Sequence, residues 1–353
     1  MLSGNEDFPT LLIRAVKKYK VISIIGLSKN VSKTTSLNHI INFLKNNYTI
    51  GITSIGRDGE PYDVITQLPK PKIIVEKGTT FATAEDSLNN SDIKTELIKT
   101  TEFTTPLGII NIYKALTKGY VELAGPSINK QLKNLCNDML KIGCDVIFID
   151  GAFDRRSFAS PLISNATILS TGASVSKNMQ KVVDITSHIY DLFSLEIVKD
   201  DKIKKISKDI LLTVQVGIIN DDYSINKLEE PTALGSSKVI FDQLTKDSKY
   251  LVIKGAITDN ILDEYITNKK VKNLTVIATD PTKLFVSKQV FYKFIKKGGR
   301  LKVLDRINLI AITVNHTSPL GYEFENNIFI RLLQERIDVP IFNLGPCDPC
   351  DNL

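Results

Sequence analysis

The amino-acid sequence has no tryptophan and only four cysteines and three histidines among its 353 residues. So few cysteines exclude the disulfide framework on which small secreted domains depend. No stretch approaches the roughly 18 consecutive apolar residues that a membrane-spanning helix needs. The segment Met1–Asp7 carries acidic groups where a signal peptide would be basic. We therefore expect a cytoplasmic protein with no membrane partner.

An excess of charge of one sign is also missing. Lysine and arginine together number 45 and the acidic residues 39, which gives a net charge of +6. The basic residues form no dense tract with interleaved aromatic residues, a pattern that is typical of nucleic-acid-binding surfaces. We therefore do not expect nucleic acid as a partner.

The size and hydrophobicity of the chain indicate a folded protein. Hydrophobic residues make up 42% of the sequence and charged residues 24%, a balance that excludes a largely disordered chain. At about 100–200 residues per domain, the length predicts two domains.

Common hydrolase motifs are absent as well. The sequence contains no Gly-x-Ser-x-Gly and no His-Glu-x-x-His pattern. Cys347 and Cys350 form a single Cys-x-x-Cys pair near the end of the sequence. Such a pair can belong to a metal site, form a redox pair or have no function, and the sequence leaves these three interpretations open.

Short β-branched runs alternate along the chain with segments of helical period, which predicts βαβ units on a mostly parallel sheet and therefore an α/β fold. The predicted strands include Tyr19–Ile25, Thr49–Ser54, Val146–Ile149 and Thr167–Ser170. Between the first two strands, apolar residues at helical spacing predict a helix over Lys33–Asn46.

The predicted domain boundary lies at the charged run Val198–Lys204, which has little apolar content and is interpreted as a solvated connector. The first domain then covers residues 1–200 and contains an insertion over Gly56–Gly125. The second α/β domain covers residues 205–353 and includes a predicted strand at Leu309–Val314.

The most informative segment has the sequence Ile24-Ile-Gly-Leu-Ser-Lys-Asn-Val-Ser-Lys-Thr-Thr35. It follows a predicted strand and precedes a predicted amphipathic helix, which is the context of a phosphate-binding P-loop. In such a loop the backbone N–H groups and the helix N-terminus attract phosphate, the Lys33 ammonium meets the β- and γ-phosphates, and the Thr34 hydroxyl ligates Mg²⁺. The candidate nucleotide-binding residues are Gly26, Lys29, Asn30, Val31, Ser32, Lys33, Thr34 and Thr35.

The segment departs from the standard pattern G-x-x-x-x-G-K-[ST] at two places. Gly26 lies one residue too early, and Ser32 replaces the second glycine. A serine held at positive φ costs on the order of 1–2 kcal/mol, and its Cβ would crowd an approaching phosphate. A negative φ at Ser32 would avoid this cost. An ordinary strand–turn–helix with a solvated lysine is the alternative interpretation.

Two carboxylates are candidate partners of the loop. Asp150 ends the apolar strand Val146–Ile149, as a Walker-B aspartate does, and Asp58 follows the strand Thr49–Ser54 in a glycine-containing turn. We predict Thr34, Asp58 and Asp150 as ligands of Mg²⁺, and Lys33, Asp58 and Asp150 as catalytic residues. The alternatives are a capping role for Asp150 and a turn role for Asp58.

The longer loop spacing resembles the G-T-D-T-x-x-G-K-T loop of dethiobiotin synthetase and its cobyrinic acid synthase relatives. Gly26, Val31, Lys33 and Thr34 match that pattern, whereas Ser32 departs from it. The segment that begins at Ile149 is similar to the V-E-G-A-G-G segment of dethiobiotin synthetase, with aspartate in place of glutamate.

Five segments together resemble the small subunit of the reactivase for lysine 5,6-aminomutase, a family of lysine-fermenting anaerobic bacteria, and the resemblance runs through most of the chain. The family reads G-K-T where this chain has Ser32. The resemblance implies ATP-dependent rescue of an adenosylcobalamin- and pyridoxal-phosphate-dependent enzyme, with a larger ATPase subunit and the aminomutase as partners. No residue pattern indicates cobalamin binding. The five segments are Ile24–Thr35, Gly51–Glu60, Gly119–Pro126, Ile149–Arg155 and Ala166–Ala173.

Three functions follow from these patterns, the first two with ATP and Mg²⁺ as cofactors. The first is a subunit of an ATP-dependent reactivating factor. The second is an ATP-dependent ligase of the dethiobiotin synthetase type, with a substrate pocket lined by Thr171–Ser174 and the insertion Gly56–Gly125. The third is a non-catalytic scaffold in which Ser32 marks a degenerate P-loop.

Overall fold

The computed structural model describes residues 7–58, 72–152, 159–230, 232–268 and 271–345, and at residues 57, 58 and 152 it describes the backbone only. The Cys347 and Cys350 pair lies outside the described residues. None of the helices in this part of the chain combines the length and the hydropathy that crossing a bilayer demands.

The described residues form α-helices and β-strands that alternate through most of the chain. The helices are α1 Phe8–Lys18, α2 Lys33–Leu44, α3 Glu85–Leu88, α4 Asn129–Ile142, α5 Met179–Phe193, α6 Asp201–Thr213, α7 Ser237–Asp242, α8 Asp259–Thr267, α9 Lys288–Lys296 and α10 Asn326–Gln334. In the first half of the chain the strands are β1 Val21–Gly26, β2 Ile50–Ser54, β3 Gly56–Asp58, β4 Ile73–Val75, β5 Thr80–Ala84, β6 Thr95–Thr105, β7 Gly108–Ala115, β8 Gly119–Val121, β9 Leu123–Gly125, β10 Val146–Ala152 and β11 Ala166–Gly172. In the second half they are β12 Val216–Asn220, β13 Ile225–Leu228, β14 Ser248–Ile253, β15 Ile257–Thr258, β16 Thr275–Ala278, β17 Leu284–Phe285, β18 Arg300–Val303, β19 Leu309–Asn315, β20 Thr317–Ser318, β21 Tyr322–Glu323 and β22 Ile341–Asn343.

The largest sheet has nine strands in the order β22-β19-β11-β1-β10-β2-β5-β7-β6. All neighbouring strands from β22 to β5 run parallel, whereas β7 and β6 are antiparallel to their neighbours. The protein is therefore α/β, as the sequence predicts, with a mixed sheet in which parallel pairing predominates.

The central strands of the sheet are largely apolar because both of their faces are buried. β1 and β11 are buried along their whole length, as expected for parallel strands that are covered on both faces. Helix α2 buries one face through residues at the spacing i, i+3, i+4 and i+7, and these join a core cluster with side chains of β1, β2 and β10. The buried apolar residues of α2 are Leu37, Ile40, Ile41 and Leu44.

The chain divides into two compact units that differ from the predicted domains. One unit comprises Met1–Ser187 together with Asn308–Leu353, and the other comprises His188–Ile307. The last part of the chain, which the sequence analysis placed in the second domain, returns to the first unit. The reason is strand pairing, because the apolar strand β19 lies parallel to β11 and β22 lies parallel to β19.

The second unit contains its own sheet of five strands in the order β13-β12-β14-β16-β18. Its first helix, α6, overturns the prediction that Val198–Lys204 is a solvated connector. Asp200 caps α6 by accepting hydrogen bonds from the N–H groups of Lys202 and Ile203. The second half of the charged run, from Asp201 onward, belongs to this helix, in which lysines lie beside a buried stripe that begins at Ile203.

The predicted insertion Gly56–Gly125 largely extends the first sheet. It supplies β5, β7 and β6 beyond β2, and its two ends pair with each other through β3 and β9. The pairing brings Gly125 so close to β2 that a Cβ atom there would lie 1.8 Å from the carbonyl oxygen of Ser54. The insertion is therefore anchored at the carboxyl end of β2.

Candidate functional site

The candidate site is the loop that joins β1 to α2, here called the 26–35 loop after its limits Gly26 and Thr35. The structure has the strand, loop and helix that the sequence predicts at this place. β1 lies between β10 and β11, and all three strands are parallel. The loop therefore leaves the sheet at its carboxyl edge, where α/β proteins bind ligands in a crevice.

Gly26 has a steric role at the start of the loop. A Cβ atom on this residue would lie 2.5 Å from Cγ2 of Val31 and 2.7 Å from Cγ of Lys33. Such distances are far below van der Waals contact. The loop thus folds back over Gly26, and only glycine leaves room for the side chains of Val31 and Lys33 at this position.

Ser32 has left-handed backbone geometry, with φ 62° and ψ 31°. The alternative of a negative φ at this residue is therefore wrong, and the strain of about 1–2 kcal/mol for a side chain in this region applies. Asn30 is also left-handed, with φ 58°, but asparagine tolerates this conformation better than most residues. The loop has the backbone shape that glycine would adopt freely, with a serine in its place.

A residue that the sequence analysis missed holds the Ser32 side chain. Nδ2 of Asn315, at the end of β19, donates a hydrogen bond of 2.7 Å to Oγ of Ser32. The other end of the Asn315 carboxamide accepts hydrogen bonds from the N–H and the hydroxyl of Thr317, at 3.0 and 2.8 Å. No sequence pattern indicated this contact, because β19 was expected in the other domain.

Further hydrogen bonds fix the loop to the β11 and β19 side of the sheet. The Ser36 hydroxyl lies 2.9 Å from Oγ1 of Thr313, which in turn lies 2.8 Å from Oγ of Ser170. The Ser174 hydroxyl donates to the carbonyl oxygen of Asn30 at 2.8 Å. The loop and the first turn of α2 are thus held by Asn315 and Thr313 of β19 and by Ser174, which follows β11.

Lys33 and Asp150, two of the predicted catalytic residues, lie together. Nζ of Lys33 is 3.6 Å from Oδ1 of Asp150, and 12% of the Lys33 side chain but none of the Asp150 side chain is exposed. A buried carboxylate is costly unless a positive charge or hydrogen-bond donors compensate it. The ion pair with Lys33 supplies such compensation and agrees better with a charged site than with a capping role.

The amino end of α2 is electrostatically suited to an anion. Its N-cap residue Ser32 makes no side-chain capping bond, and its first turn contains no acidic residue. In α6 and α10, by contrast, the carboxylates of Asp200 and Glu325 cap the first-turn N–H groups. The positive end of the α2 dipole is therefore not neutralised by a carboxylate of its own helix.

The remaining loop residues differ in exposure. Lys29 is exposed, Asn30 and Thr34 are half-buried, and Val31 and Thr35 are buried. The Thr34 hydroxyl can therefore reach a ligand from the first turn of α2. The Thr35 side chain belongs to the protein interior.

Asp58, the third predicted metal ligand and catalytic residue, is the last residue of β3 and pairs with Leu123 of β9. The structure describes its backbone alone. Its role as a ligand stays a prediction.

Two of the residues predicted as metal ligands, Thr34 and Asp150, carry oxygen donors. Within the described ranges, no group of three or more histidine, cysteine, aspartate or glutamate residues could hold a metal ion. Mg²⁺ usually takes only one or two protein oxygens and completes its shell with water and substrate phosphates. The Thr34 hydroxyl and the Asp150 carboxylate are hard oxygen donors of this kind, and their role as ligands of Mg²⁺ stays a prediction.

Comparison with known proteins adds no family to this geometry. The sequence matches no protein-family model and has no significant match among curated proteins.

Proposed function

We propose that the 26–35 loop binds the phosphates of Mg·ATP. The observation that carries this proposal is the meeting of Lys33 and the uncapped amino end of α2 with the buried carboxylate of Asp150, all at the carboxyl edge of parallel strands. Lys33 and the amino end of α2 are both positive, and no carboxylate in the first turn of α2 neutralises them. This arrangement favours a polyanionic ligand. A buried carboxylate beside them favours a polyanion that arrives with a cation.

Each residue has a distinct role in this proposal. Lys33 would contact the β- and γ-phosphates, and the backbone N–H groups of Asn30–Lys33 would donate to them. The Thr34 hydroxyl and the Asp150 carboxylate hold Mg²⁺, which would neutralise charge on the phosphates when bound. The 3.6 Å separation of Lys33 and Asp150 is longer than the roughly 2.7–2.9 Å of a tight charge-assisted hydrogen bond. When Lys33 turns toward a phosphate, Mg²⁺ would replace it as the positive partner of the buried carboxylate.

The proposal extends to the use of the nucleotide. The five segments that resemble the reactivase subunit include the 26–35 loop, β11 and the carboxyl ends of β2 and β10, and these strands are neighbours in the sheet. A further segment contains β9, which pairs with β3 next to β2. This clustering supports a reactivating factor for an adenosylcobalamin-dependent aminomutase, in which a larger ATPase subunit and the mutase are the partners. Such a role requires that the ATP and ADP forms differ in affinity for the partner.

The ligase alternative has less support at its predicted pocket. The Thr171 side chain is fully buried and its hydroxyl lies 2.9 Å from that of Thr186, and the Ser174 hydroxyl is bonded to Asn30. The Thr171 hydroxyl is buried and both hydroxyl groups already have hydrogen-bond partners, whereas a substrate pocket needs polar groups that face the substrate.

Phosphate release distinguishes the three functions. The protein is incubated with Mg·ATP alone, with small carboxylates, and with a lysine 5,6-aminomutase inactivated by turnover together with its larger reactivase subunit. Release that depends on the aminomutase mixture, with recovery of mutase activity, is the expected result. Release that needs only a small carboxylate would instead identify a ligase. If ATP binds but no mixture releases phosphate or restores the mutase, the reactivase proposal is wrong.

A further inference from the structure

The loop contains an unexplained feature, which is a serine in a conformation that favours glycine. Ser32 has φ 62°, and its carbonyl oxygen accepts a hydrogen bond of 2.9 Å from the N–H of Ser36 in the first turn of α2. Ser32 therefore caps α2 from the left-handed region, whereas the N-cap residues of α1, α6 and α9 are extended. An L-residue does not stay in the left-handed region without compensation from its surroundings.

Asn315 supplies a fixed partner for this serine. It is 7% exposed, and its Oδ1 atom accepts two hydrogen bonds from Thr317. Because the N–H of Thr317 can only donate, its partner must be the carboxamide oxygen, and this directs the NH₂ group of Asn315 to Ser32. The donor that meets Oγ of Ser32 is therefore oriented before any ligand arrives.

The backbone of Asn315 is held as firmly as its side chain. It is the last residue of β19 and pairs with Gly172 of β11. A Cβ atom on Gly172 would lie 2.2 Å from the carbonyl oxygen of Asn315, so the two strands approach each other as closely as glycine permits. Asn315 thus approaches the loop from a rigid strand end, which is where a positioning residue is most effective.

We propose that Asn315 is a positioning residue that keeps Ser32 in the left-handed conformation and thereby allows a loop without its second glycine to receive phosphate. The inference rests on the proposed function of the loop. It means that a residue 283 positions away in the sequence completes the nucleotide site. The dependence on Asn315 should vanish in a Ser32→Gly protein, because glycine adopts this conformation without help.

A double-mutant cycle tests the coupling. Mg·ATP affinity is measured by calorimetry for the wild-type protein, Ser32→Gly, Asn315→Ala and the double variant. We expect Asn315→Ala to weaken binding about tenfold in the wild-type background, the scale of one lost hydrogen bond, and to change it less than about threefold in the Ser32→Gly background. Equal loss in both backgrounds, or no loss in either, would overturn the proposal.

A second variant covers the case in which Asn315→Ala does not fold. Thr317→Val removes one of the two donors that orient the carboxamide and leaves the backbone donor in place. It should weaken Mg·ATP binding in the wild-type background, by less than Asn315→Ala does, and leave the Ser32→Gly protein unaffected. A purely structural role would lower the melting temperature to the same extent in both backgrounds.

The same four proteins distinguish a failure of the proposed nucleotide binding from a failure of the Ser32–Asn315 coupling. If the wild-type protein binds no nucleotide, the proposed function fails, and the coupling is read from the free energy of unfolding of the same four proteins. Non-additive losses would then still support the Ser32–Asn315 relationship, whereas additive losses would contradict it.

Discussion

Nζ of Lys33 lies 3.6 Å from Oδ1 of Asp150, and the carboxylate is fully buried. Lys33 begins α2, and Asp150 stands on β10 next to β1, the strand that leads into the loop. The pair therefore brings together opposite charges from two elements that the fold holds at one edge of the sheet. In the proposed function the Asp150 carboxylate faces Mg²⁺ and the Lys33 ammonium faces the phosphates.

Replacing Asp150 by asparagine should leave ATP binding in place but remove its dependence on Mg²⁺. The variant keeps the shape of the side chain but removes the negative charge beside Lys33. We expect ATP to bind with little stimulation by Mg²⁺, and the free energy of unfolding to fall by about 1–3 kcal/mol because Lys33 loses its ionic partner. Magnesium titrations of ATP affinity and urea unfolding check the two effects.

Asp145→Asn is the matched control for this variant. Asp145 lies just before the opposite end of β10, where its carboxylate accepts a hydrogen bond from the N–H of Thr49. The amide oxygen of asparagine can accept the same bond, so Mg²⁺ dependence should stay as in the wild type. An equal loss of Mg²⁺ dependence in both variants would contradict a specific role for Asp150.

Gly26→Ala tests the folding of the loop over β1. The added Cβ would lie 2.5 Å from Cγ2 of Val31, and valine cannot turn aside because its side chain is stiff. We expect a loss of about 1–3 kcal/mol in stability from overpacking, together with weaker Mg·ATP binding because the loop must move. Gly255→Ala serves as the control, since a Cβ at that residue meets nothing within 4 Å. Identical behaviour of the two variants would show that the loop does not need the close approach.

The buried cysteines provide a test of the core that is independent of function. Burial raises the pKa of the Cys136 thiol from its ordinary value of 9.0 to about 12, and burial also raises the pKa of Cys144. Since the thiolate is the reactive form, neither residue should react with a disulfide reagent at pH 8 until the protein unfolds. The measurement uses a Cys347→Ser/Cys350→Ser background, and fast labelling of the native protein would contradict the packing of α4.

The same pKa shift has a consequence for stability. Above about pH 9 the Cys136 thiol ionises in the unfolded chain but stays protonated in the folded protein. The unfolded state is then favoured, so the free energy of unfolding should fall as the pH rises beyond this value. Cys136→Ala should lessen that fall, as measured by urea unfolding between pH 8 and pH 10.

Local sequence patterns predicted the strand and helix on either side of the 26–35 loop. The order of the strands in the sheet depends on pairing between residues far apart in the sequence, which these patterns do not contain. The apolar strand before Gly26 and the helical spacing from Leu37 to Leu44 predicted β1 and α2, because burial of one face determines both. The position of β19 beside β11 could not be read from the sequence, since an apolar strand gives no information about its neighbour. Asn315 was missed for this reason.

The charged segment at α6 illustrates a second limit. The lysines between Val198 and Lys204 suggested a connector, but a helix with one buried face tolerates lysine on its other face. Asp200 caps that helix, and such a capping residue is a local signal that can outweigh charge content.

Calorimetric titration with Mg·ATP measures directly whether the 26–35 loop binds the nucleotide. The wild-type protein is compared with Lys33→Ala and with Lys45→Ala, whose lysine lies at the other end of α2 and pairs with Glu76 at 3.1 Å. We expect the wild type and Lys45→Ala to bind Mg·ATP with similar affinity. Lys33→Ala should lose at least about tenfold in affinity, because it lacks the ammonium that meets the phosphates. Unchanged affinity of Lys33→Ala, or the absence of binding to the wild-type protein, would contradict the proposed nucleotide binding.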